Sequence, residues 1–401
     1  GENGDGGEFA AEARASGAWG VIAEPQTAAA LGGGWVFSTA EPLQALGGVA
    51  TAWRRRLGST VIGVTGSVGK TSVKDIAAAL LPGRVHASPQ NFNTEIGLPL
   101  AVLGAEPGTD VLVLEMAMRG AGQIAELAAI AEPDVAVITN VGPVHVELLG
   151  SVEAIAAVKA EILAGLGSAG TAVAPADAGA LEPHLGGLER LLRFGEGGQV
   201  QALERTATGT SIEALIDTPA GRQGFAFPFT EDYNLTNALA AIAAGVAIGA
   251  PLEEMAAAAP RIGFSRLRGE QIDLGGGILL VNDCYNANPV SMRAALDHLG
   301  SLPAQGRRIA VLGVMAELGP EAEAYHRGIG AHARTAGIET LIGVGAEARA
   351  YDPDELVADP SEAAELLDSQ LGPDDRVLIK GSRSAGLEAV AEELQRLRGK
   401  P

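Results

Sequence analysis

Thr60-Val61-Ile62-Gly63-Val64-Thr65-Gly66-Ser67-Val68-Gly69-Lys70-Thr71-Ser72 is the stretch on which the fold turns. Its first six residues are mostly apolar or β-branched and predict a buried strand; Gly66–Gly69 then predicts a loop, and Lys70-Thr71-Ser72 the start of a helix. Two glycines allow such a loop to turn its N–H groups onto phosphate oxygens. Lys70 would neutralise the β- and γ-phosphates, and Thr71 would hold magnesium at the helix N-terminus. The usual G-x-x-x-x-G-K-[ST] spacing is not met, because Val64 stands five residues before Gly69. The strand–loop–helix context nevertheless favours a phosphate loop over an ordinary glycine turn with a capping threonine. ATP binding through Gly66, Ser67, Val68, Gly69, Lys70, Thr71 and Ser72 is the strongest expectation the residues carry.

Outward from this loop, apolar runs alternate with helical periodicity: KTSVKDIAAALL, DVLVLEM, GQIAELAAIA, DVAVIT and SVEAIAAVKAEILAGL. Strand and helix in alternation imply right-handed crossovers and a mainly parallel sheet. Residues 199–229 carry short alternating pieces with Gly/Pro punctuation, as antiparallel hairpins do, and helical patterns at 233–248 and 251–259 close the block. A second series starts near 270, with GGILLVNDCYNANP, RRIAVLGVM, IETLIGVG and DDRVLIKGSR each followed by a helical pattern. That is the layout of a doubly wound domain. Residues 1–57 read as a small α/β unit ending in Trp53-Arg54-Arg55-Arg56. No short-period repeat occurs, which argues against a solenoid.

A length of 401 residues supports two or three α/β domains, and 47% apolar residues are enough for large cores. Against 49 acidic residues stand 28 basic ones, a net charge of −21, which argues against broad binding to nucleic acid or an anionic membrane. Any phosphate must be gripped locally. The single cysteine, Cys284, excludes a disulfide framework and a Cys-rich zinc site, and fits a reducing cytoplasm. The longest apolar stretch, 238–250, is too short to span a bilayer, and no export signal opens the chain. It begins at Gly1 rather than Met, as expected of a processed or truncated product.

A magnesium–nucleotide site also needs ligands at the ends of neighbouring strands. Glu115 ends DVLVLE and His145 follows DVAVITNVGPV, so each could reach the ion. Taken alone, Glu115 reads equally as a solvated loop acid and His145 as a capping histidine. Lys159, in SVEAIAAVKAEIL, reads from spacing as a surface lysine salt-bridged to Glu161 two residues on.

TGSVGKTS, NFNTEIGLPL (91–100), LEMAMRGAGQI (114–124), TNVGPVHVELLGSVEAIAAVKAEI (139–162), NDCYNANPVSM (282–292), VLGVMAELG (311–319) and KGSRSAGLE (380–388) together resemble the Mur ligase family. YNANP and KGSRS point to its D-alanyl-D-alanine-adding branch. The resemblance implies three domains: an incomplete UDP-sugar-binding domain at 1–57, a P-loop ATP-binding domain at 58–262 and a Rossmann-like dipeptide-binding domain at 263–401, hinged near Gly263–Gly269. It further implies an ATP-dependent ligase that joins D-Ala-D-Ala to a UDP-MurNAc-tripeptide through an acyl phosphate, acting as a monomer.

Carried over by residue, the resemblance makes Lys70, Glu115, His145 and Lys159 catalytic. Thr71 and Glu115 would bind one magnesium and His145 a second. Lys159 would be carbamylated, turning a cation into a carboxylate-like ligand. Asn237 would contact adenine, Arg268 the phosphates and Asp283 the ribose. Asn93 and Thr94 would hold the nucleotide-sugar peptide; Asn288, Lys380, Ser382 and Arg383 would bind the dipeptide, although locally these four read as a strand-end turn and a surface basic pair. His326 matches a recurrent family position without an assigned role and reads locally as a capped or surface histidine.

The chain departs from the family pattern at Asp5-Gly6-Gly7 (usually DGH), at Val314 (usually acidic) and at Tyr233 (usually His). Loss of the acid at Val314 would weaken substrate or metal contacts. Competing classes are a sibling ligase, whose DNPR-like motif is missing, an amidotransferase partner, whose four-cysteine ribbon one cysteine cannot build, and an inactive scaffold that binds ATP only.

Overall fold

The structure is a computed structural model that describes residues 6–398 except His145 and Gly209; of Asp5-Gly6-Gly7, Asp5 lies outside the described residues. The strands are Gly20–Ala23 (β1), Trp35–Ser38 (β2), Thr60–Thr65 (β3), Val85–Ala87 (β4), Val111–Glu115 (β5), Val135–Ile138 (β6), Thr171–Pro175 (β7), Leu191–Phe194 (β8), Gln201–Thr208 (β9), Ser211–Thr218 (β10) and Gly221–Phe227 (β11). A second set follows: Glu270–Gly275 (β12), Ile278–Asn282 (β13), Arg308–Leu312 (β14), Thr340–Val344 (β15), Glu355–Val357 (β16) and Arg376–Lys380 (β17).

β3 is buried on both faces and its side chains alternate between them. Ile62 and Val64 pack with the helices Lys70–Leu80 and Asp232–Ala247, whereas Val61 joins the layer holding the helices Gly97–Leu103, Gln123–Ala131 and Val152–Ala160. This two-sided burial is why these strands read as continuous apolar runs. They form one parallel sheet in the order β4-β5-β3-β6-β7-β8. The segment expected to form hairpins does so, as an antiparallel sheet β11-β10-β9. Phe225, Phe227 and Phe229 stack in series on its inner side.

The last sheet runs β12-β13-β17-β14-β15-β16, parallel except for β12, which pairs antiparallel with β13. Its strands alternate in the same way: Ala310 and Leu312 face the helices Pro289–Ser301 and Ala322–Thr335, and Ile309 and Val311 face Pro360–Gln370 and Glu388–Leu397. At the other end of the chain, β1 and β2 form a two-stranded parallel sheet followed by the helix Pro42–Leu57. The Trp53-Arg54-Arg55-Arg56 run holds this helix to the central layer. Trp53 Nε1 donates to Ala105 O (3.0 Å), and Arg54 Nε donates to Ala131 O (3.0 Å) at the C-terminal end of Gln123–Ala131, where a cation suits the helix dipole. No helix among the described residues is long and apolar enough to cross a membrane.

Candidate active site

In the central sheet β3 lies between β5 and β6, so the chain winds out through β4 and β5 and then crosses β3 to reach β6. A crevice opens at the carboxyl ends of the strands where the order reverses. The predicted loop sits there. Gly66 has φ +148° and Gly69 φ +83°; a Cβ on the first would overlap Thr139 Oγ1, and on the second Asn237 Oδ1. Both positions therefore require glycine. The residues after β6 brace the loop: Ser67 N donates to Asn140 O (3.1 Å) and Val68 N to Asn140 Oδ1 (2.9 Å). Gly69 is the N-cap of Lys70–Leu80 and offers no side chain to the first helical N–H groups, which leaves them for an anion. Gly66→Ala is expected to weaken ATP binding by at least about tenfold, since Thr139 or the loop must shift; titration with a fluorescent nucleotide checks it, and an unchanged affinity would disprove the steric argument.

Glu115 is not a solvated loop acid. It is 2% exposed at the end of β5, where its two oxygens accept from Thr71 Oγ1 (2.8 Å) and Asn93 Nδ2 (2.7 Å). Lys70 Nζ donates to Gly66 O at 2.8 Å, and burial lowers its pKa while Glu115 works against that shift. Lys159 overturns its spacing-based reading: it is 1% exposed, and Glu161 accepts instead from Gly122 N (2.7 Å) and Ala125 N (3.2 Å). The reason is helical geometry, because residues two apart lie about 200° around the axis and face opposite ways. Among the described residues no hydrogen bond or ion pair reaches Lys159 Nζ; burial, and then the charge of Lys70, hold its pKa well below the usual lysine range. His145 lies outside the described residues.

The opposite wall comes from the carboxyl ends of β13, β14 and β17. Lys380 is buried rather than a surface cation, pairing with Asp283 Oδ2 (2.7 Å) and donating to Asn286 O (3.0 Å). Asn288 Oδ1 accepts from Ser291 N (3.0 Å) and caps the helix Pro289–Ser301 in a reciprocal capping box. Ser382 Oγ accepts from Ala316 N at 2.9 Å. Of these four residues only Arg383 is exposed, paired with Glu388 Oε1 at 2.9 Å. The local reading as a strand-end turn thus describes what Asn288, Lys380 and Ser382 do in the fold, and the surface-pair reading fails for Lys380. Arg268 lays its guanidinium over the Tyr285 ring, 4.1 Å from the centroid.

These walls enclose one cleft of 1780 Å³, lined by Ser67 to Ser72, Asn93, Thr94, Glu115, Asn237, Arg268, Asp283, Asn288, Lys380, Ser382 and Arg383. Gly66 and Lys159 are not on its surface. Val314 is not on it either; its carbonyl accepts from Ser382 N (2.9 Å), so the position holds a turn through its backbone.

Sequence reasoning missed Asn140, Tyr285 and Glu317, all on the cleft. Asn140 was legible as the second of the two polar residues, Thr139 and Asn140, that follow the β6 run, and Tyr285 stands inside the quoted YNANP motif. Glu317 stands inside the quoted VLGVMAELG stretch, which was given no role for it. Also missed was the brace at the expected hinge, where Asp75 Oδ2 accepts from both Ser265 N (2.9 Å) and Ser265 Oγ (2.8 Å), fastening the linker to the helix that carries Lys70.

Chemically, the cleft offers a phosphate loop with a half-buried lysine, a hydroxyl–carboxylate pair, and a facing wall of ionic and amide groups. Among the described residues no three His, Cys, Asp or Glu side chains converge as a metal cluster. Thr71 and Glu115 instead suit magnesium, which takes one or two protein oxygens and completes its shell with phosphate oxygens and water.

Comparison with known proteins agrees with this geometry. The family model for the Mur ligase middle domain matches residues 64–245, and that for the Mur ligase, glutamate ligase domain matches residues 267–383. A UDP-N-acetylmuramoyl-tripeptide--D-alanyl-D-alanine ligase from Synechocystis is 34% identical over 98% of this chain and 87% of its own length. One from Bacillus subtilis is 36% identical over 88% of this chain and 80% of its own. Among solved structures, MurF from Thermotoga maritima in complex with ADP superposes with a TM-score of 0.88 at 30% identity, covering 100% of this chain and 93% of that one. On the two matched domain models, the identity shared over nearly its whole length and a cleft built in this way, the chain belongs to the Mur ligase family.

Proposed function

We infer that this protein is an ATP-dependent ligase that joins D-alanyl-D-alanine to a UDP-MurNAc-tripeptide through an acyl phosphate, giving the UDP-MurNAc-pentapeptide of peptidoglycan synthesis. The observation that carries this reading is the single cleft in which a phosphate loop with Lys70, Thr71 and Glu115 faces Arg268, Asp283 and Lys380. Such a cleft can hold a nucleotide across two walls and leave room beside its terminal phosphate for two further substrates.

The chemistry brings anions together. A tripeptide carboxylate oxygen attacks the γ-phosphorus of ATP, and ADP leaves. The amine of the dipeptide then attacks the activated carbonyl carbon, loses a proton and expels phosphate. Lys70 and the helix N-terminus behind it offset the charge of the transferring group, and Arg268, held over Tyr285, adds a second cation from the other wall. Asn93 and Thr94 line the edge where the nucleotide-sugar peptide would enter, and Asn237 and Asp283 the part that would take adenosine.

Magnesium, when bound, would neutralise phosphate oxygens. Thr71 and Glu115 would hold one ion, and His145 with a carbamylated Lys159 would serve a second. Supporting the carbamate is the environment of Lys159: burial, and then the charge of Lys70, shift the amine toward the neutral, nucleophilic form that adds to carbon dioxide.

We divide the chain into 1–57, for the UDP-sugar, 58–262, for ATP, and 263–401, for the dipeptide. A monomer suffices for the residues named, and a lone buried cysteine suits a reducing cytoplasm. Phosphate release from ATP is expected to require both UDP-MurNAc-tripeptide and D-Ala-D-Ala. A coupled phosphate assay with each acceptor withheld in turn tests this. Equal release without the dipeptide would refute the ligase reading.

A further inference from the structure

The two walls of the cleft meet at a buried carboxylate. Glu231, 2% exposed, is the N-cap of the helix Asp232–Ala247, and its polar contacts are long. From its own wall, Oε2 accepts from Thr230 N at 3.2 Å and from Asn234 Nδ2 at 3.3 Å. From the facing wall, Gln271 Nε2 on β12 donates to Oε1 at 3.4 Å, and His298 Nε2 on the helix Pro289–Ser301 stands 3.5 Å from the same oxygen. His298 is 7% exposed, and its Nε2 has no hydrogen bond among the described residues. A carboxylate draws charge-assisted N–H donors to about 2.7–2.9 Å, so both donors of the facing wall stand about half an ångström short. The contacts continue toward the nucleotide. Asn234, 3% exposed, accepts at Oδ1 from Asn237 Nδ2 (3.3 Å), and Asn237 Oδ1 stands against Gly69 of the phosphate loop. Tyr233, one helical turn before Asn237 and on the same face, also lines the cleft. Its ring meets that of His298 edge-on, with centroids 6.4 Å apart. Where the family usually has His, this chain thus has a tyrosine met by an imidazole from the facing wall.

We propose that Glu231 and His298 are a positioning pair that joins the two walls and, through Asn234, fixes the Asn237 amide for reading the base of ATP. The proposal rests on the reading above, in which Asn237 lies where adenosine would bind. An asparagine amide carries both donors and an acceptor, so what it reads depends on which atom is committed elsewhere. Asn237 commits an Nδ2 hydrogen to Asn234, which fixes how the rest of the amide meets a base. Asn234 can offer Oδ1 to Asn237 only while its own Nδ2 finds an acceptor, and that acceptor is Glu231. The contacts from its own wall reach Oε2 of Glu231; those to Oε1 come from Gln271 and His298. A buried carboxylate oxygen left without donors is costly, so the carboxylate keeps its orientation when the facing wall is seated. A nucleotide that spans the walls and the pair that joins them therefore reinforce one another.

The test is steady-state kinetics of H298L, H298Q, N234L and H298L/N234L, with KM measured separately for ATP and for D-Ala-D-Ala. ATP Kd by calorimetry and an unfolding midpoint accompany each protein. H298L is expected to raise the ATP KM about tenfold while the dipeptide KM stays within about twofold. It should also lower the preference for ATP over inosine triphosphate, which lacks the adenine amino group, about fivefold. H298Q should return the ATP KM to within about threefold of wild type, because its amide N–H can donate to Glu231 although it cannot replace the ring against Tyr233. N234L cuts the same path on the near side of Glu231 and should match H298L, and the double variant should be no worse than the worse single one. An unchanged ATP KM in H298L overturns the proposal, as does a dipeptide KM that rises in step, or an H298Q as poor as H298L. Should H298L fail to fold, an unchanged base preference in N234L overturns it instead. Wild-type enzyme that releases no dipeptide-dependent phosphate would sink the ligase reading, while the ATP Kd of the same variants would still decide for or against the pair.

Discussion

Lys70→Ala is expected to lower acceptor-dependent phosphate release about a thousandfold, the loss typical of removing a preorganised charge from a transferring group. The side chain leaves the first residue of the helix Lys70–Leu80 and curls back so that Nζ lies 2.8 Å from Gly66 O and 3.5 Å from Ser67 O, over the loop that would hold the phosphates. Burial lowers its pKa, Glu115 raises it and Arg268 lowers it again, so the surroundings compensate a positive charge there only in part. An anionic phosphate supplies that compensation most fully as charge moves onto the leaving oxygen. Nucleotide binding should suffer less than turnover, since the loop N–H groups remain. Lys70→Arg should not rescue, because a planar guanidinium cannot take the same compact position. Rapid-quench measurement of phosphoryl transfer separates the two effects. A fall below about tenfold in that step would remove Lys70 from the chemistry.

Lys159→Met is expected to abolish turnover, by about a thousandfold or more, and at the same time to raise the unfolding midpoint by a few degrees. Both effects follow from one fact: the amine is buried without a hydrogen bond or ion pair among the described residues, and its pKa lies well below the lysine range. The sign is as follows for stability. The unfolded chain binds this proton up to the ordinary lysine pKa while the folded chain gives it up earlier, so burial of the amine costs stability at neutral pH, and the cost fades as pH rises toward the ordinary value. An isosteric apolar side chain removes that cost. Catalytically, the lowered pKa favours the unprotonated amine, the form that can add carbon dioxide and become the anion proposed to face magnesium. Wild-type activity should therefore fall when bicarbonate is stripped and return when it is restored. Thermal unfolding and a carbon dioxide-depleted assay read the two halves independently. Full activity of Lys159→Met would end the carbamate proposal, whatever its stability.

Much of the architecture was legible in the sequence because burial on both faces leaves a periodic signature. The apolar run Thr60–Thr65, the glycines at 66 and 69 and the alternation of strands with helices follow from local sterics and patterning. The hairpins between 199 and 229 were legible through their punctuation, and Asn288 capping its helix follows from Asn288-Pro289. Lys159 was misread from spacing because sequence separation does not report depth: the same lysine is a surface cation or a buried amine according to what packs above it. The resemblance to a family had set that surface reading aside, and the 1% exposure of the side chain overturns it.

By itself the sequence determined which residues could make strands, helices, a phosphate loop and an acidic surface, since each depends on near neighbours or on composition. The tertiary structure alone decided which of them meet. Glu115 touches Thr71 across 44 positions of chain and Lys380 holds Asp283 across 97. Asp75 fastens the linker at Ser265, and His326 fixes a turn it does not adjoin. Such pairings are set by strand order and crossover geometry, which bring distant strand ends to one edge of a sheet, and no local propensity encodes them.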